Sequence, residues 1–203
     1  KYVDGLYKLG IATPLNLDIP GAAKKPNIRR PTKENWSRTA LAWMSIGYET
    51  QVPPMNTLAF YNAIANGGKM MKPYIVESIE HNGKIEKQFK PEILNGSIWS
   101  KATADTLTRA LKMVTLEGTA SKLKNSRCIV AGKTGTSRMH LNNEERNGSR
   151  DPYSDDQGRK KHQATFVGFF PADEPQYTAI VVVYTDLISH NVYGGSIPAM
   201  TFK

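Results

Sequence analysis

The stretch Cys128-Ile129-Val130-Ala131-Gly132-Lys133-Thr134-Gly135-Thr136 decides how this chain reads. Its first four residues lean apolar and predict a β-strand that carries the polar residues behind them. A lysine, two hydroxyls and a glycine in one tight strand segment make a compact anion-binding edge. Thr134 and Thr136 stand two residues apart, so their hydroxyls leave the same face of a strand. Gly135 between them lets another backbone lie against the strand, because a side chain there would occupy its place.

Downstream, Ala164–Phe170 and Tyr177–Thr185 read as two apolar strands. The turn between them is Pro171-Ala172-Asp173-Glu174-Pro175. The polar run from Asn142 to Lys161 predicts a long exposed loop, a class that is often functional or mobile. Gly194-Gly195 precedes Ser196 and a terminal helix. Upstream, Ser100 can cap a helix through Glu117, with Ala104, Leu107, Leu111 and Val114 on one stripe and Gly118 as its stop. Asn82-Gly83 lies between Tyr74–Glu80 and Lys84–Phe89 and predicts a hairpin. Pro53-Pro54 starts a helix through Asn66, which Gly67-Gly68 ends. Met55, Leu58, Ala59, Phe60 and Ile64 make that helix apolar on most faces, which predicts deep burial. A short helix over Asn35–Met44 comes before it. Residues 1–34, with Pro14, Pro20, Pro26 and Pro31, read as a wandering segment after a helix near Tyr2–Leu9. Helices first, then three strands in a meander, then a helix predict an α+β fold with an antiparallel sheet flanked by helices.

Composition agrees. The 203 residues are 39% hydrophobic and 22% charged, globular values that suffice for one substantial domain. No apolar run approaches the roughly 18 to 20 residues of a membrane span, and no signal peptide is visible. Cys128 is the only cysteine, so an internal disulfide and a cysteine metal cluster are excluded. In an apolar strand it is expected to be a buried, inert thiol. His81, His140, His162 and His190 are scattered without metal-ligand spacing, so surface roles are expected and no metal or cofactor. The net charge of +9 is spread over short pairs such as Lys24-Lys25, Arg29-Arg30 and Lys160-Lys161. No aromatic-interleaved basic stripe accompanies them, so nucleic acid is not an expected partner. A general attraction to anionic polymers or lipid headgroups fits better.

Four landmarks together resemble the penicillin-binding transpeptidase family, the serine D,D-peptidases. Ser45-Ile46-Gly47-Tyr48, followed by Pro54, Tyr61 and Ala65-Asn66-Gly67-Gly68, is similar to the family's S-x-G-Y segment and the helix after it. Glu117-Gly118-Thr119-Ala120 resembles its G-T-A turn, and Lys133-Thr134-Gly135-Thr136 its third motif. Tyr193-Gly194-Gly195 looks like its aromatic-Gly-Gly step, although the second aromatic often found before it is Val192 here. The long polar loop and the Pro-rich start look most like the class B branch, and within it the cell-division type.

The resemblance implies a penicillin-binding-protein/β-lactamase-like fold and acyl transfer by a serine. The serine attacks the D-Ala-D-Ala carbonyl of a peptidoglycan stem peptide, D-Ala leaves, and an amine of a neighbouring stem accepts the acyl group. β-Lactam antibiotics mimic the donor. It further implies that Thr134 and Thr136 hold the donor's carboxylate and that Lys133 adds positive potential. The backbone N–H of Thr136 is then one oxyanion donor, Gly135 admits the donor backbone, and Tyr193 walls the cleft. Arg138 could reach the cleft mouth.

The family's Ser-x-x-Lys and Ser-x-Asn motifs are not in their expected places. Ser121-Lys122-Leu123-Lys124 and Ser189-His190-Asn191 carry the letters, but the first lies just before the Lys133 strand and the second after it. Both are taken as chance matches. The expectation is therefore that residues 1–203 are the C-terminal part of one transpeptidase domain, cut at both ends and silent alone. The parent would be anchored on the outer, periplasmic face of the bacterial cytoplasmic membrane by a segment outside these residues. Cell-division membrane proteins are candidate partners. The rival readings are a serine β-lactamase or β-lactam sensor of the same fold, and a non-catalytic interaction module using the Asn142–Lys161 loop.

Overall fold

The computed structural model describes residues 1–17, 24–32, 34 and 36–203. The chain divides into two compact units, Lys1–Asp105 and Thr106–Lys203. The expected α+β class with antiparallel strands holds in both.

In the first unit, α1 spans Tyr2–Lys8, β1 Asn27–Ile28, α2 Ala40–Ser45 and β2 Thr50–Gln51. They are followed by α3 at Pro54–Ala65, β3 at Met70–Lys72, β4 at Ser78–His81, β5 at Lys84–Gln88 and β6 at Glu92–Asn95. β1 pairs with β2, β3 with β6, and β4 with β5, all antiparallel. The first two pairs escape a sequence reading because strands of two to four residues are too short to show alternation. The hairpin turn falls on Asn82-Gly83, both in the left-handed region at φ 49° and 72°. Its first strand starts at Ser78, not Tyr74, because β5 is only five residues long and offers no partner further back. The helix expected from Asn35 starts at Ala40; Asn35 and Pro20 lie outside the described residues.

α3 is not buried all round. Asn56, Ala59, Ala63 and Ile64 are buried, while Met55, Leu58 and Phe60 are only half-buried. The buried face includes a polar residue because the Asn56 amide donates to the carbonyls of Thr13 at 2.7 Å and Ile11 at 3.3 Å. Two small cores are formed among the described residues. Leu15, Ala59, Ala63 and Met70 form one. Val3, Ile28 and Met44 form the other.

The second unit takes most of α4, Lys101–Leu116. Ser100 caps it as expected, its Oγ accepting from the Thr103 N–H at 3.2 Å. A 3₁₀ turn at Ser121–Leu123 follows, then β7 at Ala131–Arg138, α5 at Asn143–Arg146, β8 at His162–Phe170, β9 at Tyr177–Tyr184 and α6 at Ile197–Phe202. β7, β8 and β9 form the expected meander, in the order β7-β8-β9, without a bulge. Phe166 is fully buried in the centre of this sheet, against Ala120, Leu123, Val130 and Ala199. Phe202 stacks edge-on against Phe166 at 4.7 Å and secures α6.

Two expectations need correction. Cys128 is not in a strand: β7 begins at Ala131, and Cys128 lies half-buried in the bend before it. The cause is the turn at Lys124–Ser126, which delays pairing until the Ile129 carbonyl accepts from the Ala172 N–H. His162 is half-buried, not a surface residue, with an Nδ1 that has no partner among the described residues. Burial first, and then the Arg138 and Lys160 charges, hold its pKa below the ordinary histidine value.

The Asn142–Lys161 stretch is ordered by its own side chains. Asn142 and Glu145 form a reciprocal capping box around α5. Glu145 also accepts from Lys161. The Asp155 carboxylate, 1% exposed, accepts from the N–H groups of Gln157 and Arg159 and from Arg159 Nε.

Candidate active site

Three pieces of the second unit converge on one groove of about 440 Å³. Thr134 and Thr136 come from β7, Thr119 and Lys122 from the turn after α4, and Asn191 and Tyr193–Ser196 from the segment before α6. Local structure explains each position. Gly118 ends α4, its N–H returning to the Met113 carbonyl, and the chain folds tightly into the 3₁₀ turn. Ala120 and Leu123 are buried on either side of that turn and fix it to the core. The Gly194-Gly195 step then passes so close to other backbone that no side chain fits. A Cβ on Gly194 would stand 2.3 Å from the Thr165 carbonyl oxygen, and one on Gly195 2.0 Å from that of Thr119.

Hydrogen bonds tie the three pieces together. The Thr119 and Thr134 hydroxyls share one at 2.7 Å. The Gly194 N–H donates to Thr136 Oγ1 at 3.1 Å. The Ser196 hydroxyl donates to the Tyr193 carbonyl and keeps that turn closed. Both threonine hydroxyls are therefore oriented by groups other than solvent, and each retains hydrogen-bonding capacity toward the groove.

The strand register governs the backbone. Met139 N–H donates to the Lys161 carbonyl, which sets the hydrogen-bonded pairs of β7 and β8 at odd positions of β7. Gly135 pairs with Thr165 and Ser137 with Gln163 in this set. The N–H groups of Thr134 and Thr136 consequently point off the sheet, at the edge that no strand among the described residues covers. A donor with that aim, next to two hydroxyls, suits an oxygen that gains negative charge.

The expected site residues do not all meet. Thr134, Thr136 and Tyr193 line the groove; Lys133 and Gly135 are on the same strand but do not. Lys133 is exposed and donates to the Thr134 carbonyl at 2.8 Å, beside the Thr134 hydroxyl at 3.5 Å. Gly135 is exposed, and a Cβ there would find only Thr165 Cβ, at 3.9 Å. Tyr193 is 67% exposed, a rim residue and not a packed wall. Arg138 is exposed at the far end of β7. Ser121 and Lys124 are both exposed, so nothing among the described residues desolvates that pair.

Sequence reasoning missed Lys122, Asn191 and Ser196, and it named Thr119 only as part of a landmark. The Ser189-x-Asn191 letters fall after the Lys133 strand, so the sequence alone argues against Asn191. Ser189 indeed serves locally, its Oγ accepting from the Asp186 N–H at 3.1 Å, yet Asn191 faces the groove. The available signal was the spacing of the Gly118-Thr119 and Gly194-Gly195 turns, which bring their neighbours to the same end of β7.

A family model described as the penicillin binding protein transpeptidase domain matches residues 1–203. Penicillin-binding protein H of Bacillus subtilis is 31% identical over 146 residues, 69% of this chain and 19% of that protein. The peptidoglycan D,D-transpeptidase FtsI homolog of Mesostigma viride is 28% identical over 199 residues, 90% of this chain and 31% of that protein. The chain thus spans about a fifth to a third of the length of these relatives. Among solved structures, penicillin binding protein 3 of Mycobacterium tuberculosis in complex with aztreonam superposes with a TM-score of 0.70 at 26% identity. That match covers 90% of this chain and 39% of the other.

Proposed function

Since the chain belongs to the penicillin-binding protein transpeptidase domain family, we propose that it supplies the donor-carboxylate strand and one oxyanion donor of a peptidoglycan D,D-transpeptidase. The observation that carries this reading is the edge of β7: two oriented hydroxyls in one groove, with the Thr136 N–H directed off the sheet beside them. Thr134 and Thr136 bind the terminal carboxylate of a D-Ala-D-Ala stem peptide. Lys133 contributes positive potential behind them. Gly135, open on its outer side, admits the donor backbone. Tyr193 guards the rim.

Chemistry follows from this placement. A serine hydroxyl, supplied by a part of the domain outside these residues, attacks the penultimate carbonyl carbon. Its proton goes to a base, and the carbonyl oxygen becomes an oxyanion that accepts from the Thr136 N–H. Collapse breaks the C–N bond, the base passes its proton to the leaving nitrogen, and D-Ala departs as the amine. An amine of a second stem then attacks the ester carbonyl, forms the cross-link and frees the serine. One fixed N–H donor of this kind contributes about 3 kcal/mol to the transition state. A β-lactam enters the same groove, opens its ring on the serine and stays as the acyl-enzyme.

Residues 1–203 are read as the C-terminal part of one transpeptidase domain, and the cell-division type is supported by the names of the M. viride and M. tuberculosis relatives. The parent protein acts on the outer face of the cytoplasmic membrane, with division proteins as partners. No described helix is long and apolar enough to cross a membrane. Fluorescent penicillin tests the proposal. The full-length protein takes a stable label and the 203-residue chain alone takes none. Rapid loss of the label would instead favour a β-lactamase, and labelling of the isolated chain at Ser121 would overturn the division of roles.

A further inference from the structure

Among the described residues, Lys122 is the one cationic side chain that lines the groove, and no carboxylate lines it. Its ammonium has no hydrogen-bond or ion-pair partner among the described residues. Other exposed lysines, Lys124 among them, also have no carboxylate partner among the described residues, so what sets Lys122 apart is its place in the groove. Nor is Lys122 a randomly placed surface lysine. Its backbone sits in the middle of the Ser121–Leu123 turn, between the buried Ala120 and Leu123, and that turn is closed by Leu123 N–H to the Ala120 carbonyl at 2.9 Å. The stem of Lys122 therefore leaves a fixed point on the wall that also presents Thr119.

The proposed function, on which this inference rests, already accounts for one substrate anion. The donor's terminal carboxylate is met by the hydroxyls of Thr134 and Thr136 and by the potential of Lys133. Lys122 comes from a different element, across the Thr119–Thr134 hydrogen bond from β7. A free ammonium there has nothing to neutralise within the groove and attracts a further negative group. We propose that Lys122 is a specificity-determining residue that recognises a second carboxylate on the acyl donor, so that the preferred donor class is a dianionic peptide. The ammonium acts as an exposed point charge. Its contribution is a modest, salt-screened preference and not an all-or-none requirement.

The test is a pair of penicillins that share a nucleus and differ by one side-chain carboxylate, carbenicillin and benzylpenicillin. Second-order acylation rate constants are measured on the full-length protein and on its Lys122→Gln, Lys122→Glu and Lys122→Arg variants. The quantity read is the ratio of the carbenicillin to the benzylpenicillin constant. Lys122→Gln lowers this ratio about three- to fivefold at low salt, Lys122→Glu lowers it further, and Lys122→Arg keeps it near the wild-type value. The difference shrinks as salt is raised. A ratio that stays the same in all four proteins overturns the inference while leaving the transpeptidase reading intact. A wild-type protein that neither compound acylates overturns both. Because Lys122 is exposed, its variants keep the fold, and a thermal melt of each one confirms this.

Discussion

Gly195 lies so close to Thr119 that a Cβ on it would stand 2.0 Å from the Thr119 carbonyl oxygen. That contact is backbone against backbone, so neither side can give way as a flexible side chain would. It locks the segment before α6 to the turn after α4, and with the Gly194 N–H bond to Thr136 it holds the groove walls at one spacing. Gly195→Ala is therefore expected to destabilise the protein by about 1–3 kcal/mol through overpacking. In a thermal melt of the full-length protein this reads as a loss of about 2–4 °C per kcal/mol.

Gly135→Ala separates function from stability. A methyl group at this position meets nothing of the chain closer than Thr165 Cβ at 3.9 Å. The melting temperature should stay within the change of an ordinary surface substitution, about 0.5 kcal/mol. The methyl does project where the donor backbone is proposed to lie. Penicillin acylation of the full-length protein should accordingly fall by about tenfold or more, for a misplacement of the reacting group by a fraction of an ångström. Equal melting and equal acylation would remove Gly135 from the site.

Thr119 orients Thr134 without being asked to touch substrate. Thr119→Val keeps the shape of the side chain and deletes the shared hydrogen bond of 2.7 Å. The Thr134 hydroxyl then rotates freely, and the affinity for the donor carboxylate weakens by about 0.5–1.5 kcal/mol. A concentration series of acylation should show this as weaker initial binding with little change in the maximal rate. Thr119→Ser, which restores the hydroxyl, should recover it.

Much of this was legible in the chain itself. The meander, the hairpin at Asn82-Gly83 and α4 follow from alternation, turn chemistry and one apolar stripe, all local signals. Cys128 reads as strand because it opens a run of four apolar-leaning residues, whereas pairing starts only where the Ile129 carbonyl meets Ala172. Lys122 and Asn191 are hard to find for another reason. Their role depends on which turns converge at the end of β7; the Gly118-Thr119 and Gly194-Gly195 turns mark that neighbourhood, but which of their neighbours face the groove is a property of packing. Lys133 and Gly135 carried the motif, yet the groove is lined by the threonines beside them.

Acid should loosen the Asn142–Lys161 loop before the sheet. Hydrogen bonds from Lys161 and then from the Asn142 N–H hold Glu145 below the ordinary carboxylate range. The Tyr153 N–H and the Ser154 hydroxyl do the same for Asp151. Burial opposes ionisation of Asp155, but the Arg159 guanidinium and the N–H groups of Arg159 and Gln157 outweigh it, and its pKa is also lowered. Carboxylates with depressed pKa values stabilise the fold above their unfolded pKa of about 4, and that contribution is lost as the pH falls through the lowered values. Amide exchange at Glu145 and Arg159, corrected for intrinsic rates, should lose protection below about pH 4 while Phe166 and Val167 stay protected.

β9 presents a long apolar edge. Residues 178–183 are half-buried, the strand pairs only with β8 among the described residues, and it has neither a proline nor an inward-pointing charge. Such an edge templates further pairing. The 203-residue chain expressed alone should self-associate in light scattering, and Val182→Lys should reduce this. A monodisperse monomer of the unmodified chain would contradict it.

The proposed roles of Thr134 and Thr136 fix where the acyl group must sit, and a crystal structure of the full-length protein acylated by a penicillin shows whether it does. The ester carbonyl oxygen should lie within about 3.1 Å of the Thr136 N–H, with the drug's carboxylate on the Thr134 and Thr136 hydroxyls. An acyl group bound elsewhere, or a Thr136 N–H already occupied by another strand, would contradict the account.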